Sequence, residues 1–146
     1  MIDFRVWDKK KSEIVDVMDI DFSGKKVGVC NVPKRMFKDG RLHTIHSIER
    51  GWSEVELMQY TGLKDKNNTE IFEGDIVKRT YLFNGGYGET HSGEVIYDKE
   101  YARYVISRPQ KYIEPKTEDL RNTLSDKSTY EVIGSIYENR ELLEEI

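Results

Sequence analysis

The chain opens on an alternation. Ile2, Phe4 and Val6 are interleaved with Asp3, Arg5 and Trp7, a period of two that reads as a half-buried strand. The polar connector Asp8-Lys-Lys-Lys-Ser12 separates these residues from Ile14, Val15 and Val17. Residues 1–18 therefore predict a β-hairpin with a lysine-rich tip. The pattern then loosens. Turns are expected at Ser23-Gly-Lys25 and Lys38-Asp-Gly40, with short strands through Val27 and Val29 and through Leu42, Thr44, Ile45 and Ile48. Gly51-Trp-Ser53 reads as a junction. Ser53 with Glu56 imitates a helix capping box, yet Val55, Leu57 and Gln59 alternate with Glu56, Met58 and Tyr60, so a strand is expected there.

Beyond a bend at Thr61-Gly62 and a polar turn at Asp65-Lys-Asn-Asn68, the periodicity sharpens. Glu73-Gly-Asp75 reads as a tight turn feeding a strand over 76–83. There Gly74 can take a strained conformation, and the Asp75 carboxylate can accept from nearby backbone N–H groups. A glycine-rich loop over 84–88 leads to strands over 93–97, 103–106 and 130–137, with a turn at Asp98-Lys-Glu100. Leu120 and Leu124, four apart, suggest one or two helical turns within the excursion that follows Pro109 and Pro115. Asn139 can cap a short terminal helix over 140–145. The order predicts an α+β, mainly β protein: a β-rich subdomain over 1–52, then a small SH3-like β-barrel over 53–146 with a short terminal helix.

Four segments carry a family signal: Phe4-Arg-Val-Trp-Asp8, Leu57-Met-Gln-Tyr-Thr-Gly-Leu-Lys-Asp-Lys-Asn67, Ile71-Phe-Glu-Gly-Asp-Ile-Val77 and Glu131-Val-Ile-Gly-Ser-Ile-Tyr-Glu-Asn139. Together they resemble the YopX-like family of phage and prophage proteins. The resemblance implies a fold and a phage-related origin but no activity, because the family has no assigned biochemical function. Gly62, Gly74, Asp75, Gly134 and Asn139 are the backbone-shaping residues inside those segments. The chain departs from the family in two places. Asn68 follows Asn67 where the family has an Asn-Gly pair, and Arg140 stands where the family commonly has Pro. Asn is the non-glycine residue that best tolerates a left-handed backbone, so the turn is expected to survive.

Composition narrows the chemistry. A length of 146 residues suits one compact domain or two small lobes. Residues 1–50 carry 11 Lys and Arg against 8 Asp and Glu, whereas residues 51–146 carry 12 against 19, so the basic end is N-terminal. Cys30, the single cysteine, excludes an internal disulfide and reads as inert strand packing. The opening residues lack the features of a signal peptide, and no stretch reaches the ~20 apolar residues of a membrane helix. A cytoplasmic protein of a bacterial host cell, without membrane association, is expected.

No residue set rises to a catalytic site, and neither cofactor nor metal is expected. His43 and His46 are three apart in an alternating segment, which turns their rings to opposite faces. Glu70, Glu73 and Asp75 could hold a hard cation, but Asp75 has a structural use in its turn. Gly85-Gly-Tyr-Gly88 lacks the following helix and Lys-Ser/Thr pair of a phosphate loop. Binding is the remaining class. A protein partner or self-association into a homo-oligomer is the first expectation, because Trp7, Trp52 and Tyr60 are large residues for so limited a core. Nucleic acid is the alternative, with Lys25, Lys26, Arg35 and Arg41 from the basic 24–50 region and Lys78, Arg79 and Tyr81 from the aromatic face as contacts.

Overall fold

A computed structural model describes residues 2–30, 37–38, 41–42, 47–83, 86–108, 116–119 and 130–143 of the chain. The protein is mainly β, and its chain divides into two compact units between Gln59 and Tyr60. The first unit holds β1 (Phe4–Asp8), β2 (Glu13–Asp21), β3 (Lys26–Cys30), β4 (Phe37–Lys38), β5 (Arg41–Leu42) and β6 (Ser47–Gly51). A 3-10 turn over Trp52–Glu54 then enters β7 (Val55–Lys64), whose first half completes the unit. The second half of β7 begins the other unit, followed by β8 (Glu70–Phe72), β9 (Asp75–Phe83), β10 (Gly86–Asp98), β11 (Arg103–Arg108), β12 (Lys116–Asp119) and β13 (Tyr130–Ser135). Every described strand pair is antiparallel.

In the first unit the strand order is β6-β3-β2-β1-β7. Register sets the inner face: Val6 lies opposite Val15 and Leu57, Val17 opposite Val29, Ile20 opposite Val27, and Val29 opposite Ile48. Val6, Val27, Val29 and Val55 form a buried cluster with Val15, Val17, Ile20 and Ile48 packed against it. A flat sheet would hold β6 and β7 about 19 Å apart, four strand spacings. The three residues of the 3-10 turn join them, and four Cα steps reach at most about 14 Å. The sheet must therefore roll, and the roll is what encloses its valines.

The predicted N-terminal hairpin forms, and its lysine tip is neutralised by acids. Lys9 meets Glu56 at 2.8 Å, Lys10 meets Glu54 at 2.6 Å, and Lys11 meets Glu13 at 3.8 Å. The capping-box contact falls two residues earlier than Ser53 with Glu56 suggests, with Glu54 Oε2 accepting from the Gly51 N–H at 2.9 Å. Val55–Lys64 is a strand, as its alternation predicts.

In the second unit the order is β12-β11-β10-β9-β13. Ile71, Val77, Val95, Ile106 and Tyr130 form its buried cluster, with Leu63, Tyr104 and Val132 against it. The Arg79 guanidinium lies 5.4 Å from the centre of the Tyr130 ring. Residues 86–88, expected as loop, belong to β10: Gly86 pairs with Phe83, and a bulge follows between Tyr87 and Thr90. β12 is an element that the sequence pattern does not announce, and the helical turns expected around Leu120 and Leu124 lie outside the described residues.

Two fold expectations are corrected. Among the described residues the sheets stay open, with β12 and β13 at the edges of the five-stranded one. Among the described residues no SH3-like barrel closes: β8, the strand before the Gly74 turn, pairs with β7 and is not part of that sheet. The terminal helix is a 3-10 turn over Arg140–Leu143, in which the Leu142 N–H donates to the carbonyl of Asn139, three residues back, at 2.9 Å.

Candidate functional site

The backbone-shaping residues do specific work. Gly74 has φ +87°, the left-handed region open to glycine at no steric cost. Its N–H donates to the Val95 carbonyl at 2.8 Å, and its carbonyl accepts from Ile136 at 2.9 Å, so one turn ties three segments. Asp75 is buried, and its Oδ2 accepts from the Phe72 N–H at 2.8 Å, the use expected of it. Gly62 has φ +83° within the bulged pairing of β7 with β8. Asn68 takes φ +65°, so the left-handed turn survives without glycine. Gly134 serves by close approach: a Cβ there would lie 2.5 to 2.9 Å from the Asn139 side chain.

Asp65 is a residue whose wider role the sequence pattern does not reveal. It is buried; Oδ1 accepts from Asn67 and Thr69 at 2.8 and 2.9 Å, while Oδ2 accepts from Val132 at 2.9 Å. One carboxylate thus shapes its own turn and pins β13. A buried Asp before an Asn-rich turn is a recognisable signal for the first task. The second is a contact across 67 residues that no local pattern encodes.

The residues proposed for nucleic acid are divided between the two units, Lys25, Lys26 and Arg41 in the first and Lys78, Arg79 and Tyr81 in the second. Lys25 is exposed in a left-handed turn, φ +53°. Lys26 pairs with Glu49 at 2.7 Å, a hydrogen bond that raises the ammonium above its ordinary pKa. Lys78 and Arg79 point to opposite faces of β9, the first exposed and the second over Tyr130. Arg35 lies outside the described residues, and of Arg41 and Tyr81 only the backbone is described, in β5 and β9. Among the described residues no three His, Cys, Asp or Glu side chains gather as metal ligands, and His43 and His46 lie outside them. Among the described residues no helix is long and apolar enough to cross a membrane.

What the first unit does present is a cavity in the rolled sheet. Ile20, Val27, Trp52, Val55, Glu56 and Leu57 line a space of about 290 Å³. Trp52 and Leu57 are 45% and 40% exposed there, and Phe22, on the turn after β2, is 69% exposed. The Phe22 and Trp52 rings meet edge to face, 5.9 Å between centres at 73°. Glu56, the carboxylate in the lining, is engaged by Lys9. The cavity is an apolar slot with an aromatic lip. Its volume falls at the lower end of small-molecule sites, roughly 300 to 1,000 Å³, and its lining offers few polar groups to orient a reactant.

Next to the slot, Asp8 of β1 stands opposite Val55, one of the lining residues; it is fully buried and bonded to Arg50. Burial alone would push its carboxyl up. The Arg50 guanidinium and the Lys11 and Lys10 N–H groups outweigh that and hold it below its ordinary pKa.

Solved structures share this fold. Over 98% of each chain, the protein is similar to protein EF1440 from Enterococcus faecalis, with TM-score 0.62 and 24% identity. Over 96% of each chain it is similar to protein yopX from Bacillus subtilis, with TM-score 0.54 and 19% identity. No curated protein matches the chain. The family model described as YopX protein matches residues 3–144. The chain belongs to the YopX protein family.

Proposed function

We propose that the protein is a non-enzymatic protein-interaction module of phage origin, acting as a homo-oligomer in the cytoplasm of a bacterial host, and that it docks apolar side chains in the slot of its first unit. The observation that carries this reading is the juxtaposition of an apolar cavity of about 290 Å³ with the exposed Phe22, Trp52 and Leu57. Large apolar side chains clustered on a surface mark an interaction site, and a concave centre with aromatic residues beside it is how protein interfaces concentrate their affinity.

The test compares the wild type with Trp52→Ser as baits in a bacterial extract, after checking that both give the same far-UV spectrum. The wild type should retain proteins that the variant loses. Equal retention by both would remove the slot from the reading. A gel shift with single-stranded DNA that fades with salt and disappears in Lys25→Gln/Lys26→Gln would assign the protein to nucleic-acid binding instead.

A further inference from the structure

We infer that the slot is filled by Phe22 of a second copy of this chain, each copy inserting its ring into the other's cavity about a two-fold axis. The inference rests on the slot being a docking site and names its occupant.

Placement is the first support. A two-fold interface must be self-complementary: a residue that meets a given patch on its partner has that same patch on its own surface. Phe22 is the knob, exposed to 69%, and Trp52, whose ring it touches, is a wall of the hole. Knob and hole thus sit side by side on one unit, the arrangement that reciprocal exchange needs. The knob is also held on a formed turn. Asp21 Oδ1 accepts from the Ser23 N–H at 3.0 Å, the Ser23 Oγ–H at 2.8 Å and the Gly24 N–H at 2.9 Å, fixing the residues that follow Phe22. A pre-ordered turn loses little freedom on association.

Size and lining are the second. Five of the six lining residues are apolar, and the sixth, Glu56, is already paired with Lys9. Such a slot suits an uncharged ring and would strand a charged one, because nothing in the lining is left to compensate it.

Charge is the third. Two identical faces repel when each carries a field of one sign. Here acids and bases on the elements around the slot are paired, Lys9 with Glu56, Lys10 with Glu54 and Lys26 with Glu49, and at the knob Asp19 and Asp21 stand near Lys25 and Lys26. A face balanced in this way can meet its own copy.

Sedimentation of the whole chain at high micromolar concentration tests the inference. The wild type should be a dimer. Phe22→Ser removes the knob, and Leu57→Glu blocks the hole; both positions are exposed, and the fold of each variant is checked by urea unfolding. Each variant alone should dissociate with a dimer constant weakened by about a hundredfold or more, as expected for losing two buried rings. An equimolar mixture of the two should dimerise again, because one intact knob then faces one intact hole. Trp52→Ser serves as a second hole variant. A monomeric wild type, a dimer unaffected by Phe22→Ser, or a mixture that stays monomeric would each overturn the inference. A monomeric wild type that still retains extract proteins through Trp52 would overturn the second-copy occupant alone and leave the docking function standing.

Discussion

Arg50 Nε lies 3.2 and 3.1 Å from the two carboxylate oxygens of Asp8, joining β6 to β1 across the inner face of a sheet in which β3 and β2 stand between them. Three strand spacings, about 14 Å, would part those backbones in a flat sheet. The ion pair therefore reports the roll and helps to hold it. Asp8 is fully buried and the Arg50 side chain is 12% exposed, so the two charges are sheltered from solvent screening.

Arg50→Met should accordingly destabilise the protein by about 3 kcal/mol, the lower part of the range for orphaning a buried charge. The lower part applies because Lys10 and Lys11 N–H groups still bond Asp8 Oδ1 at 3.0 and 3.3 Å. Urea unfolding at neutral pH measures it. A cost below about 1 kcal/mol, the level of an exposed pair, would show that the roll does not depend on this bond.

Two carboxylates should give opposite pH responses. The Asp8 pKa is lowered on folding, so its contribution is complete above the unfolded value near 3.9 and is lost as pH falls through the folded value. Glu94 is half-buried, and burial raises its pKa, with Glu73 adding to the rise and Arg140 opposing it. Its contribution is present below the unfolded value, near 4.3, and is lost as pH rises through the folded one. Glu94→Gln should therefore raise the urea midpoint at pH 7, with the gain shrinking as pH approaches 4. A midpoint that is lower at pH 7 would mean that the carboxylate is held by a favourable contact.

Gly134→Ala should cost about 1 to 3 kcal/mol by overpacking, because the new methyl meets Asn139 Cβ and Cγ at 2.9 Å. Asn139→Gly removes the obstructing atoms, so adding it should recover much of the loss. A double-mutant cycle reads the coupling, and simple additivity would place the strain elsewhere.

Asp65→Ala should cost about 3 kcal/mol, since it leaves three backbone N–H groups without their acceptor. Hydrogen exchange should show the Val132 amide losing protection together with those of the turn. If only the turn amides respond, β13 is held without this bond.

Where local rules govern, the sequence is readable. The hairpin at the start, the strand over 55–64, the Gly74–Asp75 turn and the left-handed Asn68 all follow from alternation or from the backbone demands of a single residue. Strand order is different. The entry turn before β9 looks the same whether its strands close into a barrel or remain an open sheet, because closure depends on which strand finds β8, and β8 found β7. Phe22 and Trp52 show the same limit. Each reads as one large residue in a polar stretch, and only the long-range pairing of β3 with β6, which sets Trp52 beside the turn after β2, brings their rings to 5.9 Å beside a cavity.

The tether over Trp52–Glu54 is short enough to draw together strands that would otherwise lie further apart than it can reach. Its length therefore works as a drawstring on the cavity opening. On the proposed docking role, an insertion or deletion at this single surface position would alter what the opening admits, with every strand sequence left as it is and the valine interior untouched.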